Sequence, residues 1–205
     1  GDRRIDRGGN DPPPGAARRQ RQKTVKGVTT DMHVFLTGPV QIGKSTLITA
    51  TLDQLQPERL GGFRTVSDAP AADGSRSVHL FRASEHPQDH ICTSANRVGI
   101  RRPGLGIASF PAVFDAAGIG ALDGAEDCDL ILMDEIGRME RRADVYSARV
   151  LRLLDGGVPI LGVVQKKADT PLANAVRSHP GVRLIEVSEE NRDDLLPEIL
   201  HTLRA

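Results

Sequence analysis

The 205-residue chain balances 27 Lys/Arg against 27 Asp/Glu, but unevenly: residues 1–31 hold eight basic and four acidic side chains, leaving 19 and 23 for the remainder. One Tyr, five Phe and no Trp offer few stacking platforms for single-stranded nucleic acid, so nucleic acid is not an expected partner. Cys92 and Cys128 form neither a C-x-x-C pair nor a disulfide framework, which fits a reducing cytosol. No apolar run approaches the roughly 18 residues that span a bilayer. A cytoplasmic location without membrane partners is expected, and composition says nothing of oligomeric state.

Residues 1–31 are predicted to be a disordered basic tail. Gly8-Gly9, Pro12-Pro13-Pro14 and Arg18-Arg19-Gln20-Arg21 come with almost no apolar side chains, so nothing offsets the entropy of ordering them. Met32 stands one residue before the first strand, and the folded domain is expected over residues 32–205. That strand is the apolar run His33-Val34-Phe35-Leu36-Thr37. Gly38-Pro39-Val40-Gln41-Ile42-Gly43-Lys44-Ser45-Thr46 follows, a Gly-x-x-x-x-Gly-Lys-Ser pattern. Next comes a helix with Leu47, Ile48, Thr51, Leu52 and Leu55 on one stripe. Strand, loop and helix together aim backbone N–H groups and the positive helix end at one spot, where a polyphosphate fits. Lys44 is placed to reach the outer phosphates and the Ser45 hydroxyl to sit on Mg²⁺. The competing reading is a glycine-bearing strand-to-helix turn of another α/β protein; the strand before and the helix after argue against it.

Pro57 ends the first helix. Gly61–Val66 and Ser77–Phe81 read as a hairpin around the turn-rich stretch 69–75. Residues 84–108, with Pro87, Pro103 and several glycines, give no clear pattern, and Pro111 to Ala125 reads as a helix weakened by Gly118 and Gly120. Asp129-Leu130-Ile131-Leu132-Met133-Asp134 is a continuous apolar run ending in an acid, as in parallel strands buried on both faces. Ala143, Tyr146, Val150, Leu153 and Leu154 share a helical face that closes at Gly156-Gly157. Strands at Ile160–Val164 and Val182–Val187 are separated by a short helix around Pro171–Val176. A last helix has Leu195, Leu196, Ile199, Leu200 and Leu203 on its stripe. This alternation predicts an α/β fold with a doubly wound, largely parallel sheet and a small β-hairpin extension.

Asp134 and Glu135 fall at the carboxyl end of the buried strand, where open α/β sheets bind ligands. Asp134 fits the acid that holds Mg²⁺ opposite the phosphate loop. Glu135, one residue nearer the turn at Gly137, is placed to face a water aligned on the γ-phosphate. Arg138 is either a stabiliser of charge on the transferring phosphoryl group or a surface arginine.

The block Asp134-Glu135-Ile136-Gly137-Arg138-Met139-Glu140 resembles the Asp-Glu-Ile-Gly-Lys-Met-Glu block of the small archaeal and bacterial nucleoside-triphosphatases, the family that includes the human cancer-related nucleoside-triphosphatase. Gly62-Phe63-Arg64-Thr65, the Pro159–Val164 strand, and Glu186-Val187-Ser188-Glu189-Glu190-Asn191-Arg192-Asp193 agree with it too, so the resemblance spans about Met32 to Leu203. It implies a P-loop fold related to RecA-like and nucleotide-kinase domains. It implies slow, Mg²⁺-dependent hydrolysis of nucleoside triphosphates such as ATP and GTP to the diphosphate and phosphate. The implied site is the phosphate loop, the acidic pair and the basic residue of the block, with Glu135, Lys44 and Arg138 catalytic and Ser45 and Asp134 on the metal. Two departures stand out: Gln41 replaces a usual glycine, and Arg138 a usual lysine.

Three weaker signals remain. Glu85, His86, Asp89, His90 and Cys92 bear ligand-type side chains, but Pro87 breaks any helix aligning the two histidines, so a zinc site is not expected there. Arg101-Arg102, beside Pro103 and Gly104, reads as a solvated loop or as a mobile arginine pair closing over phosphates. Asn191 and Arg192 either contact the base or shape the last helix's start. Two rival functions share the fold: a nucleotide or small-molecule kinase using ATP, and a non-enzymatic nucleotide switch. Glu135 beside Asp134, a base placed for water, favours hydrolysis, because a kinase must exclude water.

Overall fold

Apolar runs without alternation need cover on both faces, and the chain supplies it by winding helices around one sheet. The computed structural model describes residues 32–204, and the expectation for residues 1–31 lies outside them. In chain order the elements are β1 (His33–Thr37), α1 (Lys44–Leu55), β2 (Leu60–Ser67), β3 (Arg76–Arg82), β4 (Arg97–Arg102) and β5 (Gly106–Ser109). Then come α2 (Pro111–Val113), which runs through a π-helical turn (Phe114–Gly118) into α3 (Ile119–Ala121), β6 (Leu130–Ile136) and α4 (Asp144–Leu154). The chain ends with β7 (Ile160–Val164), α5 (Pro171–Ser178), β8 (Val182–Glu186) and α6 (Leu195–Arg204).

All eight strands form one sheet in the order β5-β4-β3-β2-β6-β7-β1-β8. From β2 to β8 neighbours are parallel, and β3, β4 and β5 add on antiparallel. The expected two-stranded hairpin is thus the start of a longer antiparallel wing, and residues 84–108 hold β4 and β5. β1 lies between β7 and β8 with every residue buried.

Side-chain parity sorts the core into two layers. Val34, Leu36, Leu132 and Leu161 face one side with Leu47 and Ile48 of α1 and Ile199 of α6. Phe35, Ile131 and Met133 face the other, under Phe114, Tyr146 and Val150 of α4, and Leu172 of α5. The helix expected over Pro111–Ala125 ends at Ala121 and is wound as π in its middle. Gly118, which weakened the pattern, sits there for packing: a Cβ would lie 2.6 Å from the Tyr146 ring.

Candidate active site

The loop after β1 is shaped by what crosses it. Gly38 has φ +140°, and a Cβ there would lie 2.5 Å from the Val187 carbonyl oxygen, so no side chain fits. The Val187 N–H donates to the Thr37 carbonyl at 2.8 Å, clamping the end of β8 onto the start of the loop. Buried Ile42 anchors the middle of the loop while Pro39, Val40 and Gln41 stay exposed. Gly43, at φ +110°, starts α1. Gln41 has a left-handed backbone, with φ 63°; glutamine therefore bears a local cost of about 1 kcal/mol that glycine would not.

Lys44 Nζ donates to the carbonyls of Gly38 at 3.2 Å and Pro39 at 2.6 Å, which places its charge over the mouth of the loop. Burial lowers its pKa, while the charges of Glu135 and Asp134 pull it back up. Ser45 and Thr46 are exposed in the first turn of α1.

Opposite the loop, the end of β6 carries the acidic pair. Asp134 pairs with Arg64 across β2, and its carbonyl accepts from Thr65 Oγ1 at 3.2 Å. Burial, then the neighbouring Glu135 charge, pushes the Asp134 carboxyl up to about 6, against the pull of Arg64 and Lys44. The two acids are short of positive charge, a condition a divalent cation relieves.

Glu135 is held by two donors. Arg101 Nη2 on β4 reaches its Oε1 at 3.3 Å, and Gln165 Nε2, just past β7, donates to the same oxygen. Among the described residues no donor is assigned to Oε2. Gly137 leaves room for Gln165, whose side chain lies where a Cβ on residue 137 would project. Glu140 is wholly buried and its Oε2 accepts the Gly137 N–H at 2.9 Å, while Thr170 Oγ1 donates to the Gly137 carbonyl at 3.1 Å. Buried Met139 packs against Gly99 of β4, where a Cβ would lie 2.7 Å from its sulfur. The acidic block is thus a built turn, closed by the Gly137–Glu140 bond and seated on β4 through Met139.

The candidate residues fall into three groups. The loop residues Gly38 to Thr46 and the pair Asp134/Glu135 converge at the carboxyl ends of β1 and β6. Arg138 is exposed, donates to the Lys167 carbonyl at 3.0 Å, and lines a cleft of about 300 Å³ with Arg141, Arg142 and β5. Arg101 belongs to strand β4 and pairs with Glu135 rather than sitting in a mobile loop. Asn191 shapes the turn after β8: its Oδ1 accepts from the Ser188 N–H at 2.8 Å and its Nδ2 donates to the Glu186 carbonyl at 2.9 Å. Arg192 reaches the loop, its Cδ being 3.7 Å from where a Cβ on Gly43 would stand. Gln165 was not foreseen; one glutamine after an apolar strand carries no pattern, and only the parallel pairing of β6 with β7 brings it to Glu135.

Comparison with known proteins identifies the family. The NTPase family model matches residues 33–200. The chain belongs to the NTPase family. Similar NTPase relatives include the nucleoside-triphosphatase THEP1 of Thermotoga petrophila, 29% identical over 84% of this chain and 93% of the relative. The cancer-related nucleoside-triphosphatase homolog of Bos taurus is 30% identical, and the human protein 28%, each covering 82% of this chain and 94% of its own length. Among solved structures, THEP1 from Aquifex aeolicus matches 85% of this NTPase chain and all of its own with a TM-score of 0.61; at 24% identity that likeness speaks for the fold.

Proposed function

We propose that this chain hydrolyses nucleoside 5′-triphosphates to the diphosphate and phosphate, in the cytoplasm and with Mg²⁺. The family match and the relatives named as nucleoside-triphosphatases support the reaction class. Among the described residues no helix is long and apolar enough to cross a membrane. The observation that carries the mechanism is Glu135: both its donors are on Oε1, so Oε2 is the oxygen free to take a proton from water.

The loop N–H groups from Gly43 to Ser45 bind the phosphates, and Lys44 turns from its two loop carbonyls to the outer ones. Ser45 and Asp134 are the residues that would hold Mg²⁺; the raised Asp134 carboxyl fits a site built for added positive charge. When bound, the ion neutralises charge on the outer phosphate oxygens. Glu135 orients the attacking water and Arg101 and Gln165 keep its carboxylate in place. Arg138, one turn on, adds positive charge beside the site.

The test compares two isosteric changes. Glu135→Gln should keep nucleotide binding and lower turnover by about 10² to 10⁴-fold, the worth of a positioned acid–base group, or roughly 3–5 kcal/mol of barrier. Asp134→Asn should weaken the metal and with it both binding and turnover. Parental turnover in the Gln variant, or diphosphate that forms only with an acceptor present and without release of phosphate, would sink the hydrolase mechanism.

A further inference from the structure

Away from the phosphate loop, three metal-ligating side chains meet that the sequence keeps apart. Asp68 follows β2, His79 lies within β3 and is 4% exposed, and Cys92 sits in the loop before β4. One ligand atom from each lies within 4.8 Å of the other two. His79 Nε2 is 3.1 Å from Asp68 Oδ2, and Cys92 Sγ is 3.2 Å from Asp68 Oδ1. The strand pairing between β3 and β4 slips at Val78/His79, the kind of irregularity that re-aims a side chain.

The orientation of the imidazole is what makes this cluster more than a set of polar neighbours. Its other nitrogen, Nδ1, is 3.0 Å from Asn96 Oδ1. Asn96 cannot be turned round, because its Nδ2 donates to the Ile91 carbonyl at 3.0 Å and its Oδ1 already accepts the Thr93 N–H at 2.9 Å. Nδ1 must therefore carry a proton. With Nδ1 donating to Asn96, Nε2 is the nitrogen that faces the Asp68 carboxylate, with the Cys92 sulfur against its other oxygen. An imidazole nitrogen, a carboxylate and a thiol thus come together, and an outer partner fixes the ring's orientation, as second-shell groups do for metal-bound histidines.

We propose that Asp68, His79 and Cys92 form a Zn²⁺ site, with water completing a tetrahedron and Asn96 positioning His79. The donor set is nitrogen, sulfur and oxygen, which suits zinc and not the oxygen-seeking Mg²⁺ or Ca²⁺. Ordinary zinc–ligand bonds put tetrahedral neighbours about 3.4–3.6 Å apart, so the two contacts to Asp68 need open by a few tenths of an ångström, while Nε2 and Sγ, within 4.8 Å of each other, must come to the same spacing. A carboxylate and a thiolate together balance the double charge. The neighbouring ligand-type residues do not join: His90 stacks on Phe81 with ring centroids 3.8 Å apart, and Glu85 accepts from the Arg82 N–H. The bound ion would tie the end of β2 and the loop before β4 to β3.

The experiment titrates the purified full-length chain with Co²⁺ as a coloured zinc probe, followed by displacement with Zn²⁺. Residues 1–31 contain no His or Cys, so the tail offers no imidazole or thiolate to compete. One equivalent should bind, with a thiolate-to-cobalt charge-transfer band that zinc abolishes. Cys92→Ser should remove the band and weaken binding at least tenfold; Cys92 is exposed, so this variant should fold. Cys128→Ser and the double variant His86→Gln/His90→Gln should bind as the parent does. Asn96→Ala should weaken binding about 10- to 100-fold, as loss of an outer-shell partner does. No saturable binding at micromolar metal, a charge-transfer band that survives Cys92→Ser, or loss of binding in the His86/His90 variant would each overturn the assignment.

Discussion

Glu140 is the member of the acidic block whose cost can be worked out. Its carboxyl is wholly buried, and burial pushes its pKa from 4.5 up to about 7 despite the Gly137 N–H it accepts. A difference of that size corresponds to about 3 kcal/mol against ionisation. Because the folded value lies above the unfolded one, the sign is fixed. Below pH 4.5 the group is protonated in both states and costs nothing; as pH rises towards 7 the unfolded chain ionises first, stability falls, and the penalty levels off above 7. Glu140→Gln should remove that penalty. The amide oxygen can still accept the Gly137 N–H, and the amide nitrogen supplies a donor in a region where Glu140 Oε1 and Tyr146 Oη are both buried without partners. Urea unfolding of both proteins from pH 4 to pH 8 should show curves that nearly coincide at the acid end. At pH 8 the variant should be more stable by up to about 3 kcal/mol, a Tm rise on the order of 6–12 °C. A difference that stays constant with pH, or a variant less stable at pH 8, would refute the reasoning.

Lys44→Ala deletes a charge aimed at the outer phosphates and should weaken binding of a non-hydrolysable triphosphate by roughly 1.5–3 kcal/mol; an unchanged dissociation constant would remove the phosphate-loop assignment. Gly38→Ala drives a Cβ to 2.5 Å from the Val187 carbonyl at φ +140°; the strain, at least about 1–3 kcal/mol, should appear as a lower melting temperature together with lost nucleotide binding. Gln165→Ala leaves Arg101 as the sole donor to Glu135, so turnover should fall about tenfold while triphosphate affinity stays at the parental value, a split that titration calorimetry and phosphate release can measure.

What the sequence made legible was contiguous. The phosphate loop and the acid pair each occupy one short stretch, because a strand end, a turn and a helix start are consecutive in any βα unit. The parallel strands were legible too, since runs such as Leu130–Met133 have no polar face. Gln165, Arg101 and the Asp68–His79–Cys92 cluster were not, since each depends on which strand lies beside which. β4 and β5 were missed for a different reason. Arg97, Gly99, Arg101, Arg102 and Gly106 give these strands neither an apolar run nor a clean alternation, because β5 is the sheet's edge and β4, beside it, carries Arg101 to the site. Gly118 shows the same limit, since a residue that lowers helix propensity was selected by the ring of Tyr146, 28 positions away.

The placement of β1 has a consequence for how the chain is made. The strand is finished by residue 37, yet its two neighbours, β7 and β8, are completed only at residues 164 and 186. During synthesis the stretch 60–109 can zip β2 to β5 together from adjacent segments, whereas β1 must wait until residues 160–186 have left the ribosome. Until then a strand with the apolar core Val34-Phe35-Leu36 stands with both edges unsatisfied, a template for association between nascent chains. The bond from Val187 to Thr37 closes only once residue 187 has been made, so a chain stalled before residue 182 would carry a nucleotide loop without that clamp at its start.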